Sequence, residues 1–160
     1  MTKEKLSFEQ FLETVDINHQ SFIRGLHNYL TKNYCKPTIE EKKSGMFVSY
    51  KHTKSKKVIV NFLFRKDGMH IRIYGENASK YIDFLNTLPQ EMVNSIDKAG
   101  ECGRLVKNTC STKCSGYDVT IGGVRFQKCR YGGFEFLLTD ESCPFIKSFI
   151  ENEVEERAEV

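Results

Sequence analysis

A group of thiols between residues 102 and 129 is the clearest chemical signal in this sequence. Thiolates are preferred ligands of zinc, and four of them within reach of one another close a tetrahedral site around that ion. The chain has six cysteines. We predict that four of them hold one structural zinc ion: Cys102, Cys110, Cys114 and Cys129.

The spacing of these cysteines leaves two other interpretations open. It lacks the Cys-x2-Cys knuckle that is typical of zinc sites. The thiols could instead be small buried hydrophobes, or Cys110 and Cys114 could form a redox pair. Strand alternation favours the metal, because it places Cys129 with polar neighbours rather than with Phe126. Cys143, near the start of the last helix, is a substitute ligand in this prediction, and its position also suits a thiolate nucleophile.

A second candidate site is one face of a predicted strand over residues 69–74. Alternation puts three apolar residues on one face and His70, Arg72 and Tyr74 on the other. Histidine and arginine side by side suit an anionic ligand. We predict a ligand-binding surface at these three residues, with an ordinary surface histidine as the alternative.

A basic hairpin is the third candidate, and its partner would be a nucleic acid. Four lysines within seven residues are able to follow a phosphate backbone: Lys51, Lys54, Lys56 and Lys57. The sequence pI of about 8.5 is below the usual range of nucleic-acid binders, so this hypothesis ranks below the others. The end of the chain is acidic, and a solvated surface explains both charged segments equally simply.

The elements that position these residues follow from periodicity and punctuation. Ser7 and Gln10 form a capping box, so a helix begins at Phe8. A second helix extends to about Asn33, and Pro37 interrupts the pattern that follows. The remaining ranges alternate between strands at 45–50, 57–64 and 69–74, helices at 78–88 and 89–99, a loop at 100–116, strands at 117–121, 124–130 and 134–138, and a helix from about 142.

This order predicts an α+β fold. We expect a single antiparallel sheet of about six strands, with N-terminal, central and C-terminal helices packed on it. A chain of 160 residues is most simply one domain, which we place at residues 1–153 with a frayed acidic tail at 154–160.

The distribution of apolar residues also predicts where in the cell the protein is located. The first residues lack the apolar stretch of a signal peptide, and no apolar run approaches the ~20 residues of a membrane helix. We therefore expect a cytoplasmic protein with no membrane partner, in which the thiols stay reduced and are available to a metal.

Two short stretches resemble bacterial YdhG-like domains, a family of largely unknown function that is similar in shape to frataxin. One is Ile39-Glu-Glu41 followed by Gly45-Met46, and the other is His70-Ile-Arg-Ile-Tyr74. The helix pair around Leu88–Asp97 is similar to that of neighbouring families. The resemblance implies an antiparallel sheet with flanking helices, and for some relatives a role in handling iron. The cysteine segment is not part of the general family pattern.

These observations favour a small cytoplasmic binding domain without catalytic activity. Its partner is an unknown small ligand or protein, and zinc is structural. The alternatives are an intracellular iron- or zinc-handling protein of the frataxin-like kind and a nucleic-acid-binding module that uses the hairpin at 51–57. The sequence has no phosphate-binding glycine loop, nucleophile elbow or zinc-protease motif, so an enzyme is the least expected class.

Overall fold

The computed structural model describes residues 6–107 and 116–158, and it has an α+β architecture. Its five-stranded main sheet is antiparallel throughout, in the order β1-β2-β3-β4-β7, and β5 and β6 form a separate two-stranded sheet. The elements are α1 Phe8–Glu13, α2 Ile17–Lys32, β1 Cys35–Lys42, β2 Gly45–His52, β3 Lys57–Arg65, β4 Gly68–Ile73, a 3₁₀ turn Ala78–Tyr81, α3 Ile82–Leu85, α4 Gln90–Lys98, a π-helical turn Gly103–Lys107, β5 Tyr117–Ile121, β6 Val124–Lys128, β7 Glu135–Leu137 and α5 Cys143–Ala158.

The predicted class is confirmed, whereas the prediction of a single sheet of about six strands is wrong. The described residues contain seven strands in two sheets. One strand was missed because Pro37 was interpreted as a break. β1 is an edge strand, and proline is tolerated at an edge because its missing N–H leaves no inner partner unpaired.

The second difference concerns β6 and β7, which are close in sequence but lie in different sheets. Gly122 and Gly123 both have positive φ, as the two-residue turn between β5 and β6 requires. After β6 the chain folds back tightly, with the Gly133 N–H donating to the Cys129 carbonyl at 2.7 Å. A side chain at Gly133 would overlap the Tyr117 ring, so glycine permits this approach. β7 then pairs with β4 instead of β6.

The main sheet has one face covered by helices. The central strands contribute fully buried side chains to that face, including Val60, Phe62 and Ile71. Phe11 of α1 stacks on Phe62 with ring centroids 6.0 Å apart, and Phe149 of α5 lies 6.1 Å from Phe136. This aromatic core joins the first and last helices to the same side of the sheet.

The helix ends follow the sequence signals. The Ser7 hydroxyl accepts from the Gln10 N–H at 3.1 Å, and the Gln10 side chain accepts from the Ser7 N–H at 2.7 Å, which confirms the predicted capping box. Asp16 caps α2 with a single bond, since its carboxylate accepts from the Asn18 N–H at 2.9 Å. None of the helices in the described ranges is both long and apolar enough to cross a bilayer.

A buried ion pair attaches the C-terminal half of α5 to the sheet. Glu153 is fully buried, and it accepts from the Tyr81 hydroxyl at 2.6 Å and from Arg157 Nε at 2.8 Å. Arg157, only 2 % exposed, also donates to the Lys57 carbonyl at 3.1 Å and to the Tyr74 carbonyl at 2.8 Å. The pair therefore joins α5 to the start of β3, to the residue after β4 and to the 3₁₀ turn.

Replacing Glu153 by alanine is expected to lower the free energy of unfolding by about 3–5 kcal/mol, because the Arg157 guanidinium would stay buried without a counter-charge. Urea denaturation followed by circular dichroism measures this loss. Glu155→Ala is the matched control, since Glu155 is exposed on the same helix and its removal should cost within about 0.5 kcal/mol. Equal losses in the two variants would contradict the assignment of Glu153 as a structural anchor.

Candidate functional site

His70 and Arg72 lie on the face of the main sheet opposite the helices. Antiparallel pairing places His70 beside Leu63 and Arg72 beside Asn61 of the adjacent strand. Both side chains are half-buried. The predicted alternation of β4 is therefore confirmed, and it aligns two basic groups on one surface.

Glu135 of β7 occupies the position at which an anionic ligand was predicted. Its carboxylate accepts two hydrogen bonds from Arg65, at 2.7 and 2.9 Å, and one from Arg72 Nη2 at 3.0 Å. His70 Nδ1 lies 3.0 Å from the same carboxylate. Glu135 was not among the site residues predicted from the sequence. The sequence signal that could have identified it is its position inside the apolar run Phe134–Leu138. A glutamate in an apolar strand is rarely buried unless it is paired.

The electrostatics of this cluster favour charged forms throughout. Burial by itself would raise the pKa of Glu135, but the hydrogen bonds from His70, Arg65 and Arg72 outweigh it and hold that pKa well below its ordinary value. Burial would lower the pKa of His70, yet hydrogen bonds with Glu135 and with Asp67, whose Oδ1 is 2.7 Å from His70 Nε2, raise it. The same bond with His70 lowers the pKa of Asp67. His70 is thus clamped between two carboxylates, which favour its protonated form.

Tyr74, the third predicted residue, follows β4 directly and is buried at 5 % exposure. Its hydroxyl donates to Asn61 Oδ1 at 2.8 Å, and Asn61 Nδ2 donates to Ser49 Oγ at 3.0 Å. The guanidinium of Arg130 lies 5.6 Å from the Tyr74 ring centroid. The Tyr74 hydroxyl is therefore held in the sheet, whereas His70 lines a cleft.

That cleft, which we call the α4 cleft, lies between helix α4 and the β4–β7 pair and has a volume of about 350 Å³. Its apolar wall contains Met92, Phe136 and Leu137, and its polar wall begins with Asp67 and His70. One stripe of α4 completes it, at the i, i+3, i+4 and i+7 spacing of a single helix face: Glu91, Asn94, Ser95 and Lys98.

Helix α4 is fixed in this position by a buried lysine. Lys128 of β6 is 8 % exposed, and its ammonium donates to the carbonyls of Asp97 at 2.8 Å and Ala99 at 3.0 Å. A cation at the C-terminal end of a helix satisfies the free carbonyls and complements the helix dipole. The small sheet thus holds one wall of the α4 cleft.

A second, wider cleft of about 580 Å³ adjoins the first. The two share Asp67, Leu137 and Thr139, and the second extends toward His19 at the start of α2. His19 Nε2 lies 3.5 Å from the carboxylate of Asp140. The two clefts follow the same end of the β4–β7 pair, so a ligand of the first is able to extend into the second.

The predicted zinc ligands fall in two groups. Cys110 and Cys114 lie outside the described residues. Cys102 is buried at 1 % exposure and Cys129 is half-buried, and their segments pair, since the Cys102 N–H donates to the Gln127 carbonyl at 2.9 Å and the Cys129 N–H donates to the Gly100 carbonyl at 2.8 Å. Within residues 6–107 and 116–158, no three histidine, cysteine or acidic side chains form a metal-binding group. The four-thiolate zinc site stays a prediction.

Cys143 begins α5 and is half-buried against the core. Burial raises the pKa of its thiol to about 11, and nearby Asp140 contributes to this increase. The expectation that the helix dipole would favour a thiolate is therefore wrong for this residue, because loss of hydration and a neighbouring negative charge act in the opposite direction.

The four lysines of the predicted basic hairpin lie at or beside the turn between β2 and β3, and all are exposed. They are Lys51, Lys54, Lys56 and Lys57. This turn is at the end of the sheet where β1 begins, whereas Asp67 and the α4 cleft lie at the end where β3 meets β4. The charged turn and the cleft are thus separate surfaces.

The His70 clamp should make stability depend on pH. Because the folded-state pKa of His70 is raised, its stabilisation is complete below the unfolded value of about 6.5 and is lost as pH rises through the folded value. The difference in unfolding free energy between the wild type and His70→Asn should therefore shrink from pH 6 to pH 9, as measured by urea denaturation. Glu135→Gln should lower the His70 pKa in an NMR titration. A pH-independent difference would contradict the clamp.

Comparisons of this chain with family models, with curated proteins and with solved structures find no match. The resemblance to YdhG-like domains therefore stays a prediction, carried by the short stretches at 39–46 and 70–74.

Proposed function

We propose that this protein is a non-catalytic binding domain that takes a small polar ligand in the α4 cleft. The observation that carries the proposal is the lining of that cleft. It combines an apolar wall with charges of both signs, which is the composition of an orienting small-molecule site. The volume of about 350 Å³ is at the lower end of the range for such sites.

The uncommitted polar groups of the cleft lie on α4. Asp67 and His70 are bonded to each other, and Ser142 Oγ donates to the Leu137 carbonyl at 2.8 Å, so these groups serve the protein itself. Glu91 and Lys98 are exposed and lie about 10 Å apart along the helix axis, given 1.5 Å per residue. No ion pair within 4.0 Å engages either of them among the described residues. A ligand with a negative and a positive group would satisfy both.

Binding without catalysis fits the state of the titratable groups. Both ring nitrogens of His70 face carboxylates of the protein, at 2.7 Å from Asp67 Oδ1 and 3.0 Å from Glu135 Oε2, so neither is directed at a ligand in the cleft. A general base needs a nitrogen directed at the ligand or an unpaired carboxylate near neutral pKa. His70 therefore serves to shape the cleft wall and to fix the Asp67 turn.

The test is a screen of a polar fragment library that contains zwitterions, carboxylates, sugars and nucleotides, followed by two-dimensional NMR of the backbone amides. We expect shifts of the backbone amides of Glu91, Ser95, Lys98 and His70. Ser95→Phe should fill the cleft and abolish these shifts, because the ring would occupy the space beside α4.

Ser21→Phe is the matched control, since it makes the same substitution at an exposed position of α2 and should leave the shifts intact. The proposal is wrong if no fragment of the library shifts the α4 amides. Shifts that persist unchanged in Ser95→Phe would also overturn it.

We also propose that a structural zinc ion stabilises the segment between β5–β6 and α4. The pairing of residues 100–102 with 127–129 supports this proposal, because it brings the chain around Cys102 and Cys129 together. The metal-handling role suggested by the frataxin-like resemblance would instead require a site that exchanges its ion while the protein stays folded.

Elemental analysis of protein purified without added metal or chelator should find about one zinc per chain, with about four of the thiols protected from a thiol reagent. Cys102→Ser should lose the zinc, and Cys35→Ser should keep it, because Cys35 lies in β1. Protein that is purified without zinc, or that keeps its zinc in Cys102→Ser, would exclude the site.

A further inference from the structure

Three strands and one helix bring a concentrated positive charge to one end of the main sheet. We call this surface the lysine tip. It consists of one exposed tyrosine and six exposed lysines: Tyr34, Lys32, Lys36, Lys51, Lys54, Lys56 and Lys57. Lys32 and Lys36 were not part of the predicted hairpin. Lys32 ends α2, Lys36 is the second residue of β1, and the other four lie in β2, β3 and their turn.

Strand register sets the direction of the two central lysines. Lys36 and Lys51 are directly opposite each other in the β1–β2 pair. Their neighbours Cys35 and His52 are buried on the helix-covered face, so alternation directs Lys36 and Lys51 to the open face. Like charges directly opposite each other destabilise a sheet. An anion between them would remove that cost.

Hydrogen bonds within the protein order the turn that carries Lys54 and Lys56 without any ligand. His52 Nδ1 accepts from the Ser55 N–H at 3.1 Å, and the Lys56 N–H donates to the His52 carbonyl at 2.8 Å. Burial, together with nearby Arg157 and Lys54, lowers the pKa of His52 and so keeps it a neutral acceptor. A ligand of this turn would thus pay little ordering entropy.

Tyr34 presents an aromatic face in the middle of this charge. It is 58 % exposed, and Lys54 Nζ lies 4.0 Å from its ring centroid. Within the described residues, Tyr34 and Lys56 are the two non-glycine residues with positive φ, at 66° and 60°. Such conformations are costly for side chains of this size and are concentrated at functional positions. The Tyr34 carbonyl, held by the Thr53 N–H at 2.9 Å, fixes the ring beside the turn.

The charge of the lysine tip is not neutralised by its surroundings. No carboxylate among the described residues lies within 4.0 Å of any of the six ammonium groups, whereas two exposed arginines elsewhere are paired, Arg24 with Glu9 and Arg125 with Asp118. The acidic helix α5 lies on the helix-covered side, from which Arg157 contacts the Lys57 carbonyl. A polyanion would therefore approach from the open face.

We propose that the lysine tip binds single-stranded nucleic acid, with phosphates on the lysines and a base stacked on Tyr34. Ammonium groups around an exposed aromatic ring form the combination that binds such strands without sequence readout. The surface is separate from the α4 cleft, so this activity is independent of the proposed small ligand. It also explains why unpaired lysines and a strained tyrosine occur at the same end of the sheet.

The experiment measures fluorescence anisotropy of a labelled oligothymidylate of about 16 nucleotides across a range of salt concentrations. We expect affinity to fall steeply with salt. Replacing Lys51, Lys54 and Lys56 together by alanine should weaken binding and reduce the log–log salt slope by about 2, since each contact contributes about 0.7. Tyr34→Asn should weaken binding about 5- to 100-fold, and Tyr34→Phe should retain it.

The matched control removes the same charge at the other end of the sheet by replacing Lys42, Lys43 and Lys66 with alanine. Asparagine at position 34 tolerates positive φ, so the Tyr34→Asn variant should keep its fold, as thermal unfolding will show. Equal weakening by the two triple variants would overturn the proposal, as would the absence of oligonucleotide binding at low salt or binding to phosphatidylserine vesicles alone. Ser95→Phe should leave oligonucleotide binding unchanged, which separates this test from that of the cleft.

Discussion

The buried ion pair of Glu153 and Arg157 is the interaction on which the rest of this structure depends. Two charges removed from water require complete pairing, and here the requirement is met by groups from distant parts of the chain. Glu153 holds the 3₁₀ turn that leads to α3, and Arg157 holds the backbone at Lys57 and Tyr74. Helix α5 therefore has one position along the sheet, since sliding by a turn would leave both charges buried and unpaired.

Glu135 has a similar role on the opposite face. It draws Arg65, Arg72 and His70 together, and thereby joins β7 to the edge of the main sheet and fixes the Asp67 turn. His70 and Arg72, which strand alternation predicted as ligand-binding groups, are thus paired with a carboxylate of the protein itself. The charged groups without an ion pair on which the two proposals rest lie instead on α4 and at the lysine tip.

The two surfaces differ in the way a partner would be recognised. The α4 cleft is concave, has an apolar wall and holds charges of both signs, which suits a small molecule with a defined orientation. The lysine tip carries charge of one sign, which suits a flexible polyanion and would give strong salt dependence. Because they lie at opposite ends of the same sheet, one partner can bind without displacing the other.

The sequence by itself determined the α+β class, most element positions, the Ser7 capping box and the alternation of β4. These properties are local, since they depend on periodicity, capping and turn chemistry within a few residues. The tertiary structure decided that Pro37 lies in an edge strand, that β7 leaves β6 to pair with β4, and that Glu135 faces His70 and Arg72. It also added Tyr34 and Lys36 to the lysine tip. The paired residues in these contacts are roughly 15 to 65 positions apart in sequence. No local pattern encodes pairing over that range, because the pairing is selected by the burial of the whole chain.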